Sequence, residues 1–157
     1  MRLKISFEGT EVIIKPEGNS AVKEIIKMLP ATLEFSDFAG EEKIAVLPEP
    51  ISLDGAPRGM KASAGKVFIY APWGNFGIFY KEHGRSIDQS LIPLGEVEKG
   101  LESLALKRGG FKAKVEVFLS VKENSDEQKR IFKNISRVGF GCCRSRCRRS
   151  VFFFKRQ

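Results

Sequence analysis

Apolar residues alternate with polar ones at Leu3, Ile5 and Phe7 and again at Val12 and Ile14, with Gly9 between the two runs. Side chains of an extended strand project to opposite faces in turn, so this spacing predicts a β-hairpin with one face buried. The period then changes. Gly18-Asn19-Ser20 forms a helix-starting cluster, Val22, Ile25, Ile26 and Leu29 follow at i, i+3, i+4 and i+7, and Pro30 stops the pattern. That is the signature of a short amphipathic helix lying on a sheet. Alternation resumes at Leu33 and Phe35, "SDFAGEE" reads as a polar turn, and Ile44 to Leu47 reads as a short strand closed by Pro48 and Pro50. Residues 48–65, "PEPISLDGAPRGMKASAG", are too densely punctuated by Gly and Pro for a long regular element and read as a long surface loop.

Two strong strand runs follow, Val67 to Tyr70 and Phe76 to Tyr80, joined by Ala71-Pro72-Trp73-Gly74-Asn75. Pro72 suits the second position of a type I turn and Gly74 the fourth, which makes the pair a hairpin. Leu91 to Val97 reads as a further strand, Glu98 to Leu106 as a short helix stopped by Gly109-Gly110, and Phe111 to Leu119 as a final strand. About eight short strands and two helices predict a mainly β fold, a closed or nearly closed antiparallel barrel with two short capping helices.

The 157 residues suffice for one ordinary domain with a core, and the early Glu8 and Glu11 interrupt anything that could serve as a signal peptide. The expectation is a soluble, cytoplasmic protein. The net charge of +8 suggests a nucleic-acid partner until it is divided along the chain. Residues 1–122 hold 17 Lys or Arg against 16 Asp or Glu, whereas residues 123–157 hold 10 against 3. The excess therefore belongs to the C-terminal extension, as do the only cysteines, Cys142, Cys143 and Cys147. The expected division is a barrel domain over residues 1–119 and a basic extension over residues 120–157.

Three segments carry a family likeness: "SDFAGEEKIAVLP" (36–48), "DGAPRGMKASAGKVFIYAPWGNFGIFYK" (54–81) and "IPLGEVEKGLESL" (92–104). Over about residues 1–119 the chain resembles the small bacterial and archaeal proteins of the cyclophilin-like fold. The resemblance implies an eight-stranded antiparallel barrel capped by a helix at each end. It does not bring prolyl isomerase activity with it. The arginine of an "FHR"-type strand has no counterpart here, and where a true cyclophilin carries a glutamine and a phenylalanine in an "SQFF"-type strand, this chain has Gly77 and Phe79.

The leading expectation is a non-catalytic domain that binds a peptide or small molecule in a shallow groove bordered by Trp73, Asn75, Phe79 and the loop bearing Arg58. A turn is a poor place to bury a tryptophan, which favours Trp73 and Asn75 as ligand contacts. Alternation puts Phe76, Ile78 and Tyr80 on one face of their strand and Gly77 and Phe79 on the other, with core as the first use of such residues. Asp54, Arg58 and Lys61 would bring polar groups and positive charge to the groove, suiting an anionic or peptide ligand. Weak peptidyl-prolyl isomerase activity from a hydrophobic pocket alone is a second reading.

Other chemistry finds little support. Glu41 and Glu42, placed on a strand, would point to opposite faces and could not act as a catalytic pair. His83, the only histidine, sits in "KEHGR", which reads as an exposed turn. No dinucleotide or phosphate fingerprint is present, and the C-C-x3-C thiols are one ligand short of a structural zinc site, so neither cofactor nor metal is expected. In the extension, an apolar stripe of Ile131, Phe132, Ile135 and Val138 predicts a helix over 126–138. Basic residues interleaved with Phe152, Phe153 and Phe154 suit an anion-binding adaptor for nucleic acid or a membrane surface. The competing reading is a lineage-specific or frame-shifted extension.

Overall fold

A computed structural model describes residues 1–119, which carry ten strands and two helices. In chain order these are β1 (Arg2–Phe7), β2 (Thr10–Pro16), α1 (Ser20–Lys27), β3 (Ala31–Phe38), β4 (Glu42–Ala45), β5 (Met60–Lys61), β6 (Lys66–Tyr70), β7 (Asn75–Phe79), β8 (Ile87–Asp88), β9 (Leu91–Lys99), α2 (Leu101–Leu106) and β10 (Phe111–Phe118). Eight strands close into an antiparallel barrel in the order β1-β10-β3-β4-β7-β6-β9-β2, and β5 pairs with β8 in a separate two-stranded ribbon. The expected closed barrel with two helices is therefore what forms. The extension's predicted helix over 126–138, its thiols and its anion-binding role lie outside the described residues. No helix among the described residues is long and apolar enough to cross a membrane.

The alternation read from the sequence sets which side chains fill the barrel. Leu3 and Ile5 of β1, Val12 and Ile14 of β2, and Leu33 and Phe35 of β3 all lie in the main buried cluster. Glu8 and Gly9 turn the first hairpin with φ of 45° and 77°, and paired positive φ values match the twist of the strands they join. Asn19 caps α1 by accepting a hydrogen bond from the Val22 amide at 3.1 Å, while its own amide donates to Pro93 O at 2.6 Å. One residue thus starts the helix and fastens it to β9. Ala21, Val22 and Ile25 bury the helix's inner face.

Three elements differ from expectation. "SDF" is not turn: Ser36, Asp37 and Phe38 extend β3 and pair with Ile44, Lys43 and Glu42 of β4. The chain reverses only at Ala39 and Gly40, with φ of 53° and 68°. The apolar period stops early because the inward row ends on an ion pair instead of a hydrocarbon contact. Lys43 is the one charged residue among the described ones that is buried, with 1% of its surface exposed. Its Nζ lies 2.5 Å from Asp37 Oδ1, donates to Lys107 O, and sits 5.0 Å from the centre of the Tyr80 ring. Asp37 also accepts from the Tyr80 hydroxyl at 2.8 Å. Lys43 holds the Asp37 carboxyl below its usual range, and desolvation, with that hydrogen bond, pushes the Tyr80 phenol up to about 12.

The second difference is at the C-terminal end of β9. Glu98 and Lys99 belong to the strand, and the helix begins only at Leu101. Gly100 separates the two with φ of 90°, and a Cβ there would stand 2.5 Å from Glu11 O, so the junction between strand and helix requires glycine. The third concerns the turn before β7. Tyr70 O accepts from both the Trp73 and the Gly74 amides, at 3.2 and 2.8 Å, so the reversal starts at Tyr70 and not at Ala71. Gly74, with φ of 68°, closes it.

Candidate functional site

Strands β4, β7, β6 and β9 lie side by side in the barrel wall, and their outward residues form rows across it. Glu42 stands opposite Phe79; Ile44, Gly77, Phe68 and Pro93 form the next row; Asn75, Tyr70 and Leu91 form the third. A barrel exterior is normally polar, yet these rows are largely apolar. Met60, Ala62, Phe68, Phe79 and Leu91 make a second buried cluster, distinct from the barrel interior. The long loop explains how. It is not wholly solvated: Met60 and Ala62 fold back onto the wall, and the ribbon of β5 and β8 holds them there.

Gly77 builds the floor. A Cβ at this position would stand 2.2 Å from Phe68 Cζ, so the absence of a side chain lets the Phe68 ring lie flat across β7. From there Phe68 stacks on Phe79, with ring centres 4.4 Å apart and planes 20° apart. Above this floor is a cleft of about 380 Å³, within the size range of small-molecule sites. Trp73, which is 69% exposed, stands at its rim with its ring edge-on to Tyr70 at 5.4 Å. Phe38, 47% exposed, also lines it.

The structure thus brings together three of the four residues expected at the groove, Trp73, Asn75 and Phe79. Arg58 is not among the residues lining the cleft, nor are Asp54 and Lys61. The Asp54 backbone carbonyl accepts from Ser20 Oγ at the start of α1, and Lys61 faces Glu82 at 3.8 Å. The charged groups that line the cleft are instead Glu41, Glu42, Asp88 and His83. Glu41 belongs to the turn and Glu42 to the strand, so the alternation rule that separates neighbours on a strand does not separate these two.

His83 is exposed, as its turn-like sequence suggests, but it is also part of this wall. Its ring stacks on Phe79 at 6.1 Å with planes 12° apart, its Nδ1 contacts Glu41 Oε2, and its amide donates to Ala62 O at 2.9 Å. The Glu41 carboxylate raises the His83 pKa above its ordinary value. A titration of His83 followed by NMR is expected to give a midpoint above 6.5, and Glu41→Gln is expected to return it toward that value; a midpoint unchanged by the substitution would show that no such pair forms. Burial pushes the Glu42 carboxyl up, partly countered by His83. Its side chain has no hydrogen-bond or ion-pair partner among the described residues. Among those residues, no three His, Cys, Asp or Glu side chains are grouped as metal ligands.

Fold and cleft together define a small closed antiparallel barrel with an aromatic, acid-rimmed recess on its outer wall. The model of the cyclophilin-like family matches residues 5–116, and the chain belongs to that family. Among solved structures it is similar to a hypothetical protein from Archaeoglobus fulgidus determined in solution, at 18% identity, with a TM-score of 0.61 over 74% of this chain and 93% of that one. That likeness is one of fold. No curated protein matches the chain significantly.

Proposed function

We propose that the protein is a non-catalytic binding domain whose cleft takes a peptide or small molecule. One observation carries the reading: an outer-wall recess of about 380 Å³ is floored by stacked Phe68 and Phe79 and rimmed by an exposed tryptophan. Trp73 and Phe38 are both exposed while lining one cleft, and large apolar side chains left exposed at a recess favour an interaction site. The recess is also built on rigid elements, because Gly77 and the β4-β7-β6 ladder fix its floor before any ligand arrives.

The test is a screen of the purified protein against peptide and metabolite libraries, repeated with Trp73→Ala. The wild type is expected to yield a ligand and the variant to bind it about tenfold more weakly, the scale of one lost aromatic contact. Because Trp73 is mostly exposed, the variant should unfold within a few degrees of the wild type, roughly as surface substitutions do. No ligand, or undiminished binding by Trp73→Ala, would remove this assignment.

A further inference from the structure

The recess has a charge as well as a shape, and its sign is opposite to that expected from the Arg58 loop. Three carboxylates, from Glu41, Glu42 and Asp88, share it with a single imidazole. Glu41 is engaged by His83, and Asp88 Oδ1 accepts from the Ser90 amide at 2.8 Å. Glu42 alone is left without a partner among the described residues, and it is partly buried. Its place is fixed: it stands directly across the β4-β7 ladder from Phe79, on the same outer face. Residues paired this way hold their Cβ atoms about 5 Å apart. A carboxylate therefore lies beside a stacked aromatic floor, with the Trp73 and Tyr70 rings on the same cleft.

We propose that this cleft selects an organic cation, an ammonium or guanidinium carried on an apolar stem, with the cation at Glu42 and the stem against Phe79 and Trp73. The inference rests on the cleft being a binding site and adds the class of ligand to it. Three physical effects favour a cation over a neutral or anionic ligand. An ammonium or guanidinium donates hydrogen bonds to a carboxylate that has none. It neutralises a site where like charges crowd and water is partly excluded, which makes the attraction stronger than in bulk solvent. Its charge is also attracted to the faces of tryptophan, tyrosine and phenylalanine rings. An anion would meet repulsion from all three carboxylates.

Three probes of similar shape isolate the charge: phenethylamine, 2-phenylethanol and 3-phenylpropanoate, titrated into the full chain. Quenching of Trp73 reads binding directly, since it is the only tryptophan in the protein, and calorimetry reads it independently. The amine is expected to bind at least tenfold more tightly than the alcohol or the acid. Glu42→Gln is expected to weaken the amine by about tenfold, while the alcohol changes less than twofold. A blocked Gly-Lys-Gly peptide separates the sources of the cation: binding as tight as the amine's supports a peptide side chain, and weaker binding supports a free amine. Equal binding of all three probes, or an amine preference that survives Glu42→Gln, overturns the cationic class and leaves the cleft as a binding site. Failure of all three probes to bind at millimolar concentration overturns both.

Discussion

Replacing Gly95 by alanine is expected to prevent the barrel from forming. Gly95 has a φ of 153°, and a Cβ built on it would stand 2.2 Å from Lys15 O and 2.9 Å from Pro16 Cα. Both are backbone atoms of β2, so no rotamer change can relieve the clash. The site is a corner of the ring. β9 pairs with β2 on one side and with β6 on the other, and its register against β6 shifts at Val67/Phe68, so that Gly95 faces Val67 while Pro93 faces Phe68. An extra residue of this kind bends a strand and sharpens its twist, which closing a barrel requires. Moving β2 away would break that ladder, so the expected loss exceeds about 4 kcal/mol. Gly18→Ala, where nothing lies within 4 Å of the added Cβ, should stay within about 0.5 kcal/mol of the wild type. Urea unfolding followed by circular dichroism distinguishes the two; a Gly95→Ala protein as stable as Gly18→Ala would refute this account of the corner.

Asp37→Ala is the second large effect, and it should be asymmetric with its partner. Removing Asp37 leaves Lys43 charged and buried, with only Lys107 O and the Tyr80 ring to stabilise it. An uncompensated buried charge costs roughly 3 kcal/mol or more, about 10 °C in midpoint for a domain of this size. Lys43→Met removes the charge instead and leaves a partly exposed carboxylate that water can solvate, so its cost should be near 1 kcal/mol. Combining the two should restore most of what Asp37→Ala loses. A Lys43→Met protein less stable than Asp37→Ala would contradict the argument. The pH dependence follows from the same pair. Because Asp37 titrates lower in the folded protein than unfolded, its contribution is complete above the unfolded value of about 3.9. It is lost as pH falls through the folded value, so the acid limb of the stability curve should be shallower in the double variant.

The same ion pair shows where the sequence could and could not be read. Period-two patterns at Leu3 to Phe7, Val12 to Ile14 and Leu33 to Phe35 identified barrel strands because their inward neighbours are hydrocarbon. The pattern fails at Asp37, since an inward row that ends in a salt bridge breaks the alternation that marks a strand. Glu98 and Lys99 suit a helix start as well as a strand; the pairing of Lys99 with Ile13 of β2, far apart in sequence, decides the matter. Trp73 and Asn75 stand out in the sequence because a turn is a poor place to bury a tryptophan, and Phe79 because its strand resembles the family's glutamine-phenylalanine segment; all three line the cleft. Glu41, Glu42 and His83 do not stand out. Each looks like an ordinary surface residue, and their meeting depends on the β4-β7 pairing and on the loop that returns to Ala62.

Closure of the ring also bears on how a peptide could be recognised. Each of the eight strands spends its hydrogen-bonding groups on two neighbours, whereas many peptide-binding domains seize a ligand by adding it as another strand along an open margin. That route is shut along the wall of this barrel. On the proposed reading, what fills the recess between Trp73 and Glu42 would then carry the discrimination, with a bound chain read chiefly through a side group placed there.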